Sequence, residues 1–349
     1  MRLFDDNNFK YATLFAWLKN HLVDLQEPST MKKDEYRKIE IVPHNPKWAQ
    51  VFEQEAALLK NLMGAFIVNI HHIGSTAIPR IKAKPIIDII PEVTDIKKVD
   101  NFNKKMNALG YINYGEYGLI GRRFFVKSKP DGMRLVNAHC YATNHPEIKQ
   151  NLLFRDFMNT HPREANNYSQ LKEALAAKYP HDIDSYINGK DLFVKKILAK
   201  AGFDGFYLRE VRTNNEWSQY HRIRKTELFE QYLQNTVYDP NHPSLADPNT
   251  RHYVFYKGAQ IIGTVFTDRL DEKHVALRLL AIDQGLKNKG YGSILIQQIE
   301  AVVKNENYQV ILLHANVPAY NFYKRNGYVE MEFKEPSIGK KCIDMGKLI

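Results

Sequence analysis

The chain has 349 residues, enough for two folded units, and its 44% apolar and 25% charged content excludes wholesale disorder. A net charge of +10 favours acidic partners such as nucleotides, coenzyme A or nucleic acid, but the basic residues are scattered rather than clustered, which argues against nucleic acid. Cys140 and Cys342 are far apart and in no metal-ligand spacing, no apolar run approaches the ~20 residues of a membrane span, and no signal-peptide core opens the sequence. Disulfide frameworks, structural zinc and membrane anchoring are therefore not expected, and a soluble cytoplasmic chain is.

Residues 1–38 read as a helical extension. Tyr11, Leu14, Phe15, Leu18, Leu22 and Leu25 recur at helical spacing, as in a helix docked on a neighbouring unit or a dimer partner, with membrane-surface binding the alternative that a weakly basic polar face disfavours. The first domain is expected over 39–203. A short strand at 39–42 precedes a helix over 46–63 whose apolar face is Trp48, Val51, Phe52, Leu58, Leu59 and Leu62, and a strand follows at 66–72. Gly74-Ser75 makes a turn, and 85–90 is a buried strand holding one charge, Asp88. Two positions on stands Ile90. Glu92 would share Asp88's face, but Pro91 is expected to end the strand first. Helices follow over 151–160, 164–179 and 182–201. The last is read as a solvated lysine face over Leu192, Phe193, Ile197 and Leu198. The boundary between Gly202 and Gly205 is short enough that the two units should touch.

The segment 39–201 resembles the GrpB family of nucleotidyltransferase-like proteins. The resemblance is carried by Val42-Pro-His-Asn-Pro-Lys-Trp48, His72-Ile-Gly-Ser-Thr-Ala-Ile-Pro79, Lys84-Pro-Ile-Ile-Asp88-Ile, Gly121-Arg-Arg-Phe-Phe125, His139, Phe154-Arg-Asp156, His161-Pro162, Tyr186 and Lys190. It implies a small mixed sheet with helices and a pocket formed by Gly74, Ser75, Asp88, Arg122, Arg123, His139 and Lys190. In such a layout the Gly-Ser turn offers donors to phosphate oxygens and a carboxylate pair holds Mg²⁺. Here Asp88 is the one convincing metal ligand, and His139 stands where an active transferase would place a further acid. His71, His72 and His139 read as metal ligands or as hydrogen-bonded parts of the pocket. Three readings stay open for Asp88: a buried acid bonded to the Gly74-Ser75 turn or to Arg122 or Arg123, part of a phosphate pocket, or part of a nucleotidyl-transfer site with Mg²⁺ and a nucleotide.

The second domain is expected over 206–349. A strand opens at 206–211, and a helix over 217–232 turns Tyr220, Ile223, Leu228 and Phe229 inward. A polar loop with Tyr238, Asp239 and His242 precedes a hairpin, 252–256 and 260–267, around Lys257-Gly258. A strand at 275–282 runs into Lys287-Asn-Lys-Gly290-Tyr-Gly292-Ser293, which opens an apolar-periodic helix through Ile294, Ile296, Ile299, Val302 and Val303. Strand, glycine turn and helix start together make an anion cradle, because the first helical N–H groups lack partners. Strands at 310–314, 328–334 and 341–345 and a short helix from Asn316 finish the chain.

This half resembles the GNAT acetyltransferase superfamily through Arg278-Leu-Leu-Ala-Ile-Asp283, Lys287-x-x-Gly290-x-Gly292, and His314-Ala-Asn-Val-Pro-Ala-Tyr-Asn-Phe-Tyr323-Lys-Arg-Asn-Gly327-Tyr328. The turn opens with Lys287 where the superfamily usually has Gln or Arg. The resemblance implies a mostly antiparallel sheet flanked by helices, so the whole chain is of α/β (α+β) class. It also implies acetyl-CoA bound by Leu280, Ala281, Ile282, Lys287, Asn288, Lys289, Gly290, Tyr291, Gly292, Ser293 and Asn316, and an amine on a small molecule or protein as acceptor. Tyr323 would protonate the leaving thiolate, or else be a core tyrosine. Asp283 would be a base, or else cap the turn. Glu300 is expected to be solvated. Acidic residues of the 235–250 loop would hold a cationic amine, or the loop is an ordinary exposed one. A bifunctional acetyl- and nucleotidyltransferase and a non-catalytic coenzyme A or nucleotide sensor are the alternatives to an N-acetyltransferase with a ligand-binding N-terminal domain.

Overall fold

The structure, a computed structural model, describes residues 38–233, 237–335, 337 and 342–349; the extension expected over 1–38 lies outside them, save for Lys38. Two sheets organise the chain. The first has the order β1-β2-β5-β4-β3, from β1 (Ile67–Ile73), β2 (Ile87–Val93), β3 (Tyr111–Asn113), β4 (Arg122–Ser128) and β5 (Arg134–Ala142). Only β2 and β5 run parallel. One face packs on α1 (Lys47–Met63) and the short α2 (Asn103–Ala108), around Trp48, Leu59, Ile87, Ile89, Val93, Phe125 and Ala138. The other face is covered by α3 (Pro146–Thr160), with Ile148 against Ile73, Ile90 and Tyr141. Beyond it stand α4 (Pro162–Lys178) and α5 (Ile183–Lys200), started by proline at the first turn of α4 and by the Asp182 cap on Ser185 N in α5.

Pro91 does not end its strand, contrary to the sequence expectation. β2 continues to Val93, pairing Ile70 with Pro91 on the β1 side. The missing N–H shows on the other side, where pairing with β5 lapses at Ile90 and Pro91 and resumes at Glu92 and Tyr141. The expected strand at 39–42 is reduced to one bridge, Val42 with Ala83. In α5 the lysines divide: Lys196 and Lys200 are exposed over a buried Ile197 and Leu198, as expected, whereas Lys190 and Lys195 turn inward and Leu192, expected in the core, is 61% exposed. The helix is amphipathic as expected, but part of its charge faces partners rather than water.

The second sheet has the order β11-β12-β10-β9-β8-β7-β6, from β6 (Phe206–Glu210), β7 (Thr250–Lys257), β8 (Gln260–Arg269), β9 (His274–Ile282), β10 (Val310–Asn316), β11 (Val329–Glu330) and β12 (Cys342–Leu348). All neighbours are antiparallel except β9 and β10. The strand expected at 328–334 shortens to β11, and 331–333 instead bonds to Asp344. Helix α7 (Tyr291–Asn305) buries Leu295, Ile296, Ile299, Val302 and Val303 on one face of this sheet. On the other lies α6 (Asn214–Arg224), begun by a Thr213–Glu216 capping box and continued by a π-helical turn, Lys225–Phe229. A short α8 (Tyr320–Arg325) follows β10.

The two units share a core. Leu198 of α5, with Leu153, Phe154 and Val194, packs against Tyr207, Val254 and Tyr256 of the second sheet and Tyr220 of α6. Arg209 of β6 donates to Glu147 of α3 at 2.8 Å, and Lys195 donates to Tyr256 Oη at 3.1 Å. Cys140 is buried in the first sheet and Cys342 opens β12, so no disulfide joins them. Among the described residues no helix is long and apolar enough to cross a membrane.

Candidate functional site

The strand–turn–helix of the second sheet has two unusual features. β9 and β10 are registered only at His274–Val310, Val275–Ile311 and Ala276–Leu312, after which the strands part. Among the described residues the β10 side of 277–282 is therefore left without a ladder partner. The opposite side of β9 carries a bulge: Thr264 pairs with Ala281 but Phe266 pairs with Arg278, so β9 takes three steps to β8's two. Leu279 absorbs the extra residue at φ +48, a conformation that costs a non-glycine residue about 1–3 kcal/mol and concentrates at functional positions. Leu280, Ala281 and Ile282 line the parted edge.

The turn follows directly. Asn288 and Gly290 take positive φ, and Gly290 is the left-handed residue before α7. Among the described residues none of the N–H groups of Lys287, Asn288, Lys289, Gly290, Tyr291 and Gly292 has an acceptor, whereas those of Ser293 and Ile294 turn back onto the Gly290 carbonyl. Gly292 packs closely: a Cβ there would sit 3.1 Å from the Phe322 ring, a tight contact. Lys287 leans away from the cradle and pairs with the buried Glu227 at 2.6 Å.

Asp283 is fully engaged. Its two oxygens accept from Arg222 Nη1 at 3.0 Å and Nη2 at 2.7 Å, and Oδ1 also accepts from Gln284 N at 3.0 Å. Both carboxylate oxygens are thus committed to Arg222, and one also to the backbone of the turn. Asn316 Oδ1 caps the turn leading to α8 by accepting from Ala319 N at 3.0 Å. Tyr323 packs edge-on to Phe322 and Tyr328, and its hydroxyl has no partner among the described residues. Burial pushes its phenol above the usual range, so it holds its proton at neutral pH. Glu300, expected to be solvated, instead accepts from Lys347 Nζ at 2.8 Å beneath α7. Of the loop residues, Tyr238 donates to His221 Nδ1 at 2.6 Å, Asp239 accepts from Asn241 N at 2.8 Å, and His242 caps Ser244.

In the first unit, Asp88 on β2 meets the Gly74-Ser75 turn, where a Cβ on Gly74 would lie 2.6 Å from Asp88 Oδ2. Asn137 of β5 donates to Asp88 Oδ1 at 2.9 Å, and His139 Nε2 lies 3.6 Å from the same oxygen. Arg122 does not reach Asp88; it donates to His139 Nδ1 at 3.0 Å and so presents the other ring nitrogen to the acid. Burial pushes the Asp88 carboxyl up, but His139, Asn137 and Lys84 outweigh it and hold the group below the usual carboxylate range. Arg123 does not join the pocket: it forks onto Asp100 at 2.7 and 2.9 Å on the far side of β4, because successive strand residues face opposite ways.

Lysines converge on the same turn. Lys172 of α4, 2% exposed, donates to Ser75 Oγ at 2.9 Å. Lys84 and Lys190 lie 5.4 and 4.3 Å from the centre of one ring, that of Tyr186. Burial and the neighbouring lysines push Lys190 down to about 7, and burial and Lys84 do the same to Lys172, which also ends at about 7 against the pull of Glu173. Lys84 belongs to a sequence motif, whereas nothing in the motifs points to Lys172. Its one signal is a lysine placed four residues from both Tyr168 and Ala176 on the apolar face of its helix.

A metal pair does not fit this pocket. Glu92 shares Asp88's face but is taken up by His71 at 3.0 Å, and His72 is bonded to Thr76 and held down to about 4 by burial. Among the described residues no group of three or more His, Cys, Asp or Glu side chains could hold a metal ion.

The parted β9–β10 edge beside a glycine turn defines an acetyltransferase-type sheet, joined here to a unit built on a five-stranded mixed sheet. The chain belongs to the GrpB family and carries a C-terminal GNAT acetyltransferase domain. The family model described as GrpB protein matches residues 38–200, and that of the acetyltransferase (GNAT) family matches 208–328. The chain is similar to UPF0157 protein YqkA of Bacillus subtilis, 46% identical over 165 residues, which cover 47% of this chain and 48% of that one, about half the relative's length. It is also similar to glutamate-rich protein GrpB of Alkalihalophilus pseudofirmus, 35% identical over 162 residues, 45% of this chain and 92% of that one. The crystal structure of conserved protein GrpB from Enterococcus faecalis is 39% identical and covers 46% of this chain and 96% of its own, with a TM-score of 0.44.

Proposed function

We propose that this protein is an acetyl-CoA-dependent N-acetyltransferase that transfers directly to an amine, with an N-terminal pocket for a phosphorylated ligand, and that it works in the cytoplasm where acetyl-CoA is available. The observation that carries the reading is the parting of β9 from β10 after Ala276. It leaves one strand's worth of hydrogen-bonding backbone facing a gap that ends at the unsatisfied N–H groups of 287–292. An extended pantetheine arm fits the first feature and a pyrophosphate the second. Acetyl-CoA supplies the thioester. The chain supplies the rest: the 279–282 backbone orients the arm, and an N–H aimed at the developing oxyanion is worth about 3 kcal/mol where such donors have been removed elsewhere. Tyr323, protonated at neutral pH, gives the departing sulfur a proton or a hydrogen bond. The acceptor amine arrives from the α6 side, since α7 covers the other face. Asp283 takes no part in proton transfer in this reading, being committed to Arg222.

In the N-terminal unit, Lys84, Lys172 and Lys190 gather positive charge on a turn with one nearby acid, which favours an anionic ligand over nucleotidyl chemistry. Thiol release from acetyl-CoA against a broad amine panel tests the first half. Turnover with any amine supports it, and no coenzyme binding by calorimetry sinks it. Pyrophosphate release from Mg-ATP, expected to be absent, tests the second.

A further inference from the structure

We infer that the amine acceptor carries a carboxylate, and that Arg224 is the residue that receives it. The inference rests on the acetyltransferase reading above and narrows its acceptor.

Arg224 ends α6 and is 6% exposed. Its Nη1 donates to the Tyr220 hydroxyl, which in turn donates to His252 Nδ1 at 2.7 Å. His252 Nε2 donates onward to the Ser244 carbonyl at 3.2 Å, and burial holds that imidazole neutral, down to about 4. The chain of bonds therefore ends on a carbonyl and contains no anion. Among the described residues the buried Arg224 Nε has no hydrogen-bond partner. The guanidinium lies between two rings, 4.8 Å from that of Tyr220 and 5.1 Å from that of Phe266. Aromatic faces recover part of the cost of burying a cation, but a buried charge without a counter-ion remains expensive.

The surrounding charges are matched, which isolates Arg224. Arg222 pairs with Asp283 at 2.7 Å, Lys287 with Glu227 at 2.6 Å, and Arg278 with Asp268 at 2.8 Å and also with Glu335. Among the described residues no carboxylate pairs with Arg224, and the undescribed positions of this unit, 234–236, 336 and 338–341, include no acid.

The position is the second half of the argument. Phe266, under the guanidinium, pairs with Arg278 just before the bulged Leu279, and Thr264, two residues back on the same face, pairs with Ala281. Thr264 Oγ1 is also buried without a partner. Two orphaned polar groups thus flank the bulge on the α6 side, where the acceptor would meet the acetyl group. An amine whose carboxylate forks onto Arg224 would reach the acetyl carbon at the bulge. A polyamine or aminoglycoside would bring several positive charges against this cation. Asp239, a candidate anchor for such an amine, is exposed and capping its own turn.

The test titrates wild type and Arg224→Gln, each saturated with coenzyme A, with N-acetyl-amino acids and with the matching N-acetyl-amino acid amides. Wild type is expected to bind some of the carboxylates at least tenfold tighter than their amides. The variant should bind acids and amides alike, with its coenzyme A affinity unchanged. In turnover, free amino acids should outrun their amides and spermidine. Equal binding of acid and amide by wild type, or no binding of any carboxylate, would overturn the inference, and the wild-type comparison stands even if the variant folds poorly. Loss of coenzyme A binding by wild type would instead overturn the acetyltransferase reading itself.

Discussion

Tyr323 and the buried lysines are where single side chains decide the chemistry. Tyr323 has a free hydroxyl and a phenol that burial keeps protonated, so Tyr323→Phe removes a proton donor and leaves the packing against Phe322 and Tyr328. We expect kcat to fall by about 10²-fold, the low end for general acid loss, with the acetyl-CoA Kd from calorimetry unchanged. Equal turnover would return Tyr323 to the core. The lysines give a pH prediction. Lys172 and Lys190 titrate near about 7 in the fold, while an unfolded lysine titrates at about 10.4. A lowered lysine means that the unfolded chain binds more protons across that window, so stability rises with pH between these values and the penalty is complete below the lower one. A phosphate ligand that re-protonates the pair should flatten this rise and take up protons on binding. Urea midpoints at neutral and alkaline pH, with and without pyrophosphate, read it out. A rise that pyrophosphate leaves unchanged would remove these lysines from any anion site.

At the scale of elements, the unit to test is β9, its turn and α7. Gly292 is a poorer probe than Gly290, because a Cβ there already presses on the Phe322 ring at 3.1 Å. Gly290 is exposed, and a Cβ added there would meet nothing within 4 Å, so Gly290→Glu puts a carboxylate at the helix start at the cost of a strained φ of +80. We expect acetyl-CoA binding to weaken by at least a hundredfold and thermal stability to drop by only a few degrees. Retained affinity would place the coenzyme elsewhere. This element was legible in the sequence because its meaning is local: an apolar run, a glycine turn and a 3.6-residue period identify it without any partner. So were α1, the hairpin of β7 and β8, and the Gly74-Ser75 turn facing Asp88. What could not be read was set by packing across elements. Lys190 and Lys195 look like a solvent stripe until Lys190 is drawn into the first unit's pocket beside Tyr186 and the second sheet's Tyr256 meets Lys195. Arg222 and Arg224 are two residues apart, yet one reaches Asp283 and the other lies buried over Phe266. Pro91 reads as a stop, but the β1 ladder carries β2 past it. In each case a short-range rule was overridden by a neighbour distant in sequence.

For the whole molecule, the join between the two units is as much a core as a contact. Leu198 and Phe203 belong to one apolar cluster with Tyr207, Tyr220 and Tyr256, and a Cβ on Gly258 would lie 2.5 Å from the Phe203 carbonyl. The polar part of the join is equally buried. Glu147 and Arg209 leave 11% and 20% of their side chains exposed and meet at 2.8 Å, while Tyr256 donates to Glu216 at 2.8 Å and accepts from Lys195. Severing such a pair strands a charge rather than merely losing an attraction. Glu147→Ala should therefore cost about 3–5 kcal/mol, although Glu147 touches neither proposed ligand site. Replacing both partners, as in Glu147→Gln with Arg209→Met, should recover much of that loss, since no unpaired charge remains. If the units fold as one body, wild type should melt in a single calorimetric transition, and in Gly290→Glu, whose C-terminal cradle is blocked, pyrophosphate bound by the N-terminal unit should raise the midpoint for the C-terminal unit as well. Two resolved transitions, with pyrophosphate moving only one of them, would show that the shared core is too weak to couple them.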